Sequence, residues 1–81
     1  GGSSWGLDVE GSLAYLGVGS RLVVLDVSDP ARPRKIGQTQ VLPNVVNDVF
    51  MKDGYAYVAL FEEGLVIVDR NGRVVMAKRG R

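Results

Sequence analysis

Apolar and polar side chains alternate over short stretches of this chain, and no stretch long enough for a helix carries a helical period. Leu7-Asp8-Val9-Glu10 alternates strictly. Leu22-Val23-Val24-Leu25 and Leu65-Val66-Ile67-Val68 are apolar on both faces. β-branched and aromatic residues dominate these runs, as strands require. The pattern predicts strands at 4–10, 13–18, 21–27 and 34–40, then at 46–52, 55–61, 64–69 and 73–78. Tight turns are expected at Gly11-Ser12 and Asp53-Gly54, and a short hairpin at Asn71-Gly72. Asp29-Pro30-Ala31-Arg32-Pro33 forces a wider turn at the corresponding place in the first half.

The two halves repeat one another. Leu7 to Gly17 aligns with Val49 to Ala59 at an offset of 42, and Leu22 to Asp26 aligns with Leu65 to Asp69 at an offset of 43. A period in the low forties with four strands fits a propeller blade. Sheets that are apolar on both faces fit a radial stack, whereas a two-sheet sandwich leaves one face of each sheet polar. The fourth strands are the most polar, as at an outer rim, and Lys and Arg cluster near them: Arg32, Arg34, Lys35, Arg70, Arg73, Lys78, Arg79 and Arg81. Charged outer strands resist edge-to-edge pairing.

Leu65-Val66-Ile67-Val68-Asp69 carries the signature of the LVIVD-repeat family. Leu22-Val23-Val24-Leu25-Asp26, continued by Val27-Ser28-Asp29-Pro30-Ala31-Arg32-Pro33, resembles the family's strand and turn. Asn47-Asp48-Val49 and Gly54-Tyr55-Ala56-Tyr57-Val58-Ala59 resemble its first two strands. After Asp69 the second copy departs from the pattern, with Arg70-Asn71-Gly72-Arg73 in place of the Asp-Pro turn. The resemblance implies an all-β fold of two four-stranded antiparallel β-propeller blades, 1–44 and 45–81. It also implies a secreted or cell-surface setting. The family has no shared catalytic residues to carry over.

Two blades do not close a propeller, which takes 4–8. Something must cover the two outer faces. The expected partner is the chain itself, in a cyclic homo-oligomer, with a trimer giving six blades. The alternatives are an excised or engineered piece of a longer propeller, and a small closed barrel.

Composition narrows the chemistry. The chain has 81 residues, 46% hydrophobic and 23% charged, with a net charge of +1. This excludes a disordered tail and a highly charged nucleic-acid arm. No apolar run approaches the roughly 20 residues needed to span a bilayer as a helix. Cys and His are both absent. Thiolate chemistry, disulfides, and the usual general base and metal ligand go with them. The chain reads as a non-enzymatic structural or interaction module with no cofactor and no metal.

Carbohydrate binding is the alternative function. Its candidate residues are Trp5, Arg21, Asn44, Asn47, Phe61, Glu62 and Glu63, on loops expected at one end of the blades. Trp5 would serve as a sugar-stacking platform, although packing between blades is the more ordinary role for a lone Trp. Asp26 and Asp69 end the third strands, where an Asp usually accepts hydrogen bonds from the following turn. Asp8 and Glu10 share a strand face, but the second copy has Phe50 and Lys52 there, which argues against paired acid-base carboxylates. Gly17-Val18-Gly19-Ser20 leads into a strand, so it reads as a turn and not a phosphate cradle. Lys78-Arg79-Gly80-Arg81 would form a positive rim in a ring, for edge protection and solubility. No stacking aromatics interleave with it, so nucleic acid is not an expected partner. The Gly1-Gly2-Ser3-Ser4 start is expected to be held by packing.

Overall fold

The computed structural model describes residues 6–62 and 64–79. Strands β1 (Leu7–Glu10), β2 (Leu13–Val18), β3 (Arg21–Asp26) and β4 (Arg34–Gln38) form one antiparallel sheet in that order. Strands β5 (Val46–Lys52), β6 (Tyr55–Leu60), β7 (Leu65–Val68) and β8 (Val74–Lys78) form a second. The eight strands make two separate sheets, so the small closed barrel is excluded. Every hairpin is local, and each sheet runs outward from its first strand to its fourth.

Turn chemistry sets the registers. Gly11 has a positive φ of 60° and Ser12 does not, which places glycine first in a two-residue loop. Asp53 and Gly54 both have positive φ, 53° and 84°, the geometry that Asp-Gly favours. The last hairpin differs from the expected Asn-Gly loop. Gly72 N–H donates to Asp69 O (3.1 Å) and Asp69 N–H to Arg73 O (2.9 Å), so three residues, 70–72, form the loop, with Gly72 left-handed. The outer strands β4 and β8 each carry an irregularity at equivalent places, between Val24 and Leu25 and between Ile67 and Val68 on their partners. The extra residues there, Ile36 and Val75, are exposed at the rim.

The core lies between the sheets. Tyr15, Leu22 and Val24 from the first sheet pack in one cluster with Val49, Met51, Val58, Val66 and Val68 from the second. Strands β1 and β2 of the first sheet meet β5 of the second. Register shows which residues share each face. Asp8, Tyr15 and Val24 are paired in one row, so they point together toward the second sheet. Met51, Ala56 and Val68 form the answering row.

β4 ends at Gln38, short of the expected position 40, because the chain must turn back across the end of the sheet. Thr39 is buried, and its hydroxyl accepts the Leu22 N–H at 3.0 Å. Leu42 then enters the core, held by its N–H on Ser20 O at 2.7 Å. The linker is thus anchored by one buried polar residue and one buried apolar residue.

Candidate functional site

The linker gathers one end of the molecule. Val46 N–H donates to Gly19 O (2.9 Å), and Phe61 N–H donates to Val45 O (2.7 Å). The β2–β3 loop, the linker and the β6–β7 loop therefore share that end. Asn44 turns its side-chain oxygen onto the Val45 N–H at 2.7 Å. Phe61 and Glu62 are exposed beside it, with Glu62 in the left-handed region at φ 72°. Arg21 is exposed at the start of β3, on the first sheet's part of the same end. Asn47 occupies the irregularity between Val46 and Asp48 on β5, also exposed. Trp5 and Glu63 lie outside the described residues, as do the Gly1–Ser4 start and Gly80-Arg81. A cleft of about 380 Å³ opens near this end, lined by Pro43, Asn44, Leu60, Leu65, Lys78 and Arg79 among others. Its lining combines an apolar wall with two cations and an amide.

The carboxylates are occupied with backbone. Asp8 Oδ2 accepts the Met51 N–H at 2.7 Å, and its Oδ1 accepts the Val9 N–H at 3.0 Å. Burial works to raise the Asp8 pKa, but hydrogen bonds, among them those from the Met51 and Val9 amides, hold it below the ordinary carboxylate value. Glu10 accepts the Gly54 N–H at 3.2 Å. Both residues thus bridge the two sheets. Asp26 Oδ1 accepts the Ser28 N–H and hydroxyl, and Asp69 Oδ1 accepts the Asn71 and Arg73 N–H groups. The bonds from Ser28 lower the Asp26 pKa. These two aspartates hold equivalent turns. Among the described residues no group of three or more Asp or Glu is arranged to hold a metal ion.

Among the described residues, both outer sheet faces carry exposed apolar side chains. On the second sheet, Phe50, Tyr57, Leu65 and Ile67 point away from the first. Phe50 is 45% exposed and Tyr57 37%. On the first sheet, Leu7, Val9, Leu16, Val18, Val23 and Leu25 point away from the second. Val9 is 45% exposed and Val18 54%. Clustered exposed apolar side chains are a usual sign of an interaction face. The repeat was legible in the sequence. What it did not reveal was the bridging role of Asp8, because the Met51 amide that it accepts comes from the second sheet.

Four-stranded antiparallel sheets joined in order and stacked face to face define a propeller-like repeat protein. The LVIVD repeat model matches residues 1–40 and 45–69, well over half of the 81 residues. The chain belongs to the LVIVD-repeat family. No curated protein and no solved structure matches it. Among the described residues, no helix is long and apolar enough to cross a membrane.

Proposed function

We propose that this chain is a non-enzymatic structural and interaction module that self-assembles head to tail into a closed β-propeller, with three copies supplying six blades. One observation carries the reading: each open face is the sequence equivalent of a face already buried inside the chain. Tyr57 is the counterpart of Tyr15, and Tyr15 is fully buried. Leu65 and Ile67 are the counterparts of the fully buried Leu22 and Val24. On the other side, Val9 and Val18 are the counterparts of Met51 and Leu60, which are 3% and 6% exposed. Placing a second copy's first blade on this copy's second blade brings together the equivalents of the two faces that pack inside the chain. Such a heterologous contact closes into a ring when the rotation per copy divides a full turn. The setting we propose is secreted or cell-surface.

Native mass spectrometry with light scattering tests this. A discrete trimer supports the six-bladed ring, and a tetramer supports eight blades. A stable, non-aggregating monomer overturns self-assembly and leaves the blades as part of a longer propeller polypeptide.

Carbohydrate binding at the loop end is the second reading. It is favoured by the exposed Phe61, 54% accessible, close to Asn44 and the cleft. Aromatic faces beside amide and charged groups suit a sugar. A glycan array with the wild type and Phe61→Ala checks it. Selective binding lost in the variant supports this reading, and no binding removes it.

A further inference from the structure

The two faces of each blade are not interchangeable with those of the other blade, and the reason lies at the rim. A Cβ built on Gly37 would stand 2.8 Å from the backbone oxygen of Asn71. A Cβ on Gly72 would stand 2.7 Å from the backbone of Gln38. The outer strand of the first blade thus presses directly on the tight last turn of the second. Gly37 is glycine because no side chain fits between two backbones at that separation, and Gly72 combines the same close approach with a φ of 83° that favours glycine.

Neither glycine has a glycine counterpart. Gly37 pairs with Val24, and Met76 pairs with Ile67, the counterpart of Val24. Met76 therefore occupies the place of Gly37 on the second blade, and it is 43% exposed. Asn71 and Ser28 are likewise equivalent, each donating its N–H to the aspartate two residues before it. The first blade's turn is wider, however. Asp26 pairs with Arg34, so the turn spans 27–33, where the second blade uses 70–72. It is closed by Arg32 N–H on Asp29 O (2.9 Å) and Ala31 N–H on Asp29 Oδ1 (3.1 Å), and it exposes Pro30, Ala31 and Pro33.

We infer that the second blade's open face is a docking surface for the first blade of a second copy, with Met76 seated on that copy's 27–33 turn, and that this pairing fixes the blade order. The inference rests on the self-assembly reading above. A long, adaptable thioether side chain can follow the contour of a wide, proline-bearing turn, whereas the tight turn meets the opposite outer strand backbone to backbone and leaves no room for it. A second blade stacked on another second blade would drive Met76 into the Asn71-Gly72 turn, where even a Cβ on Gly37 has no room. Mismatch by steric exclusion is how an assembly specifies order among similar units.

The test is the self-association of four purified chains, followed by light scattering across a dilution series, with circular dichroism confirming the fold. Wild type should associate. Met76→Gly, at a position exposed in the single chain, should associate about tenfold more weakly. A chain with residues 27–33 replaced by Arg-Asn-Gly should lose association, and adding Met76→Gly to it should restore association. A monomeric wild type overturns self-assembly and this inference together. An associating wild type with undiminished association of Met76→Gly overturns the Met76 contact alone. If the short-turn chain fails to fold, Met76→Arg replaces it as the second probe: retained fold with lost association supports the seat, and wild-type association overturns it.

Discussion

The carboxylate of Asp8 accepts the backbone N–H of Met51 at 2.7 Å, from one blade to the next. Asp8 is only 5% exposed, and Met51 is in the core. A single side chain thereby ties the inner strand of one sheet to the inner strand of the other. Removing it strands a buried amide. Asp8→Ala should destabilise the chain by about 1–3 kcal/mol. Urea unfolding at neutral pH checks the loss.

The same residue predicts a pH dependence. The folded-state pKa of Asp8 lies below its ordinary value, because hydrogen bonds to the charged form outweigh the cost of burial. A depressed carboxylate pKa means the unfolded chain binds the proton more tightly. The stabilisation from Asp8 is therefore complete above the ordinary carboxylate range and is lost as pH falls through the lower folded value. The stability gap between wild type and Asp8→Ala should narrow with acidification. A gap that stays constant into strong acid would show that the charge contributes nothing.

Tyr15 should behave in the opposite way. Its ring is fully buried, and its hydroxyl finds no hydrogen-bond partner among the described residues. Burial, aided by the Asp69 charge, raises its pKa. Tyr15→Phe deletes an unsatisfied hydroxyl and keeps the packing, so stability should hold or rise by up to about 1 kcal/mol. Thermal unfolding of the two chains decides it. In an alkaline absorbance titration, Tyr15→Phe should remove a phenol that titrates above the ordinary tyrosine value.

Adjacent residues of one strand should separate folding from assembly. Val66 is 2% exposed and faces the first blade, whereas Ile67 faces outward. Val66→Lys should unfold the chain, since an unpaired buried charge costs several kcal/mol. Ile67→Lys should leave a folded chain that no longer associates. Circular dichroism and solution mass read the two effects. A folded Val66→Lys chain would contradict the assigned core face.

Gly37 offers a test of close approach without backbone strain. Its φ is not in the left-handed region, so Ala is free to adopt its backbone, yet the added methyl meets Asn71 O at 2.8 Å. At Gly19 the situation reverses: φ is 60° and nothing lies within 4 Å of an added Cβ. Gly19→Ala should cost roughly 1 kcal/mol from conformation alone. Gly37→Ala should cost roughly 1–3 kcal/mol as the blades are forced apart. Equal losses in denaturant unfolding would mean that the rim contact is looser than described.

Strand number, strand order and the repeat were all legible, because alternation, β-branched content and turn residues act over a few neighbours. The eight expected strands sit within a few residues of those observed, and Leu65 to Asp69 declared its family directly. The loop end was legible in outline, since Asn44, Phe61 and Glu62 flank the connections that the linker draws together. Asp8 was not. Phe50 and Lys52 in the second copy argue against a carboxylate pair with Glu10, which leaves Asp8 without a role, and only the second sheet supplies the Met51 amide that gives it one. The single-barrel alternative also survived until the sheets were seen apart, since hairpin signals describe pairs of strands and not closure.

The sequence by itself determined the local elements: which residues pair across a hairpin, where the chain turns, and that the pattern occurs twice. These follow from side-chain period and backbone preference, which need no distant partner. Tertiary structure alone decided which face of each sheet is buried, that Gly37 is a glycine because two backbones meet there, and that Met76 stands in the equivalent place, partly exposed. Those facts depend on how one blade lies on the next. An apolar strand with two similar faces carries no mark of which one its neighbour will cover.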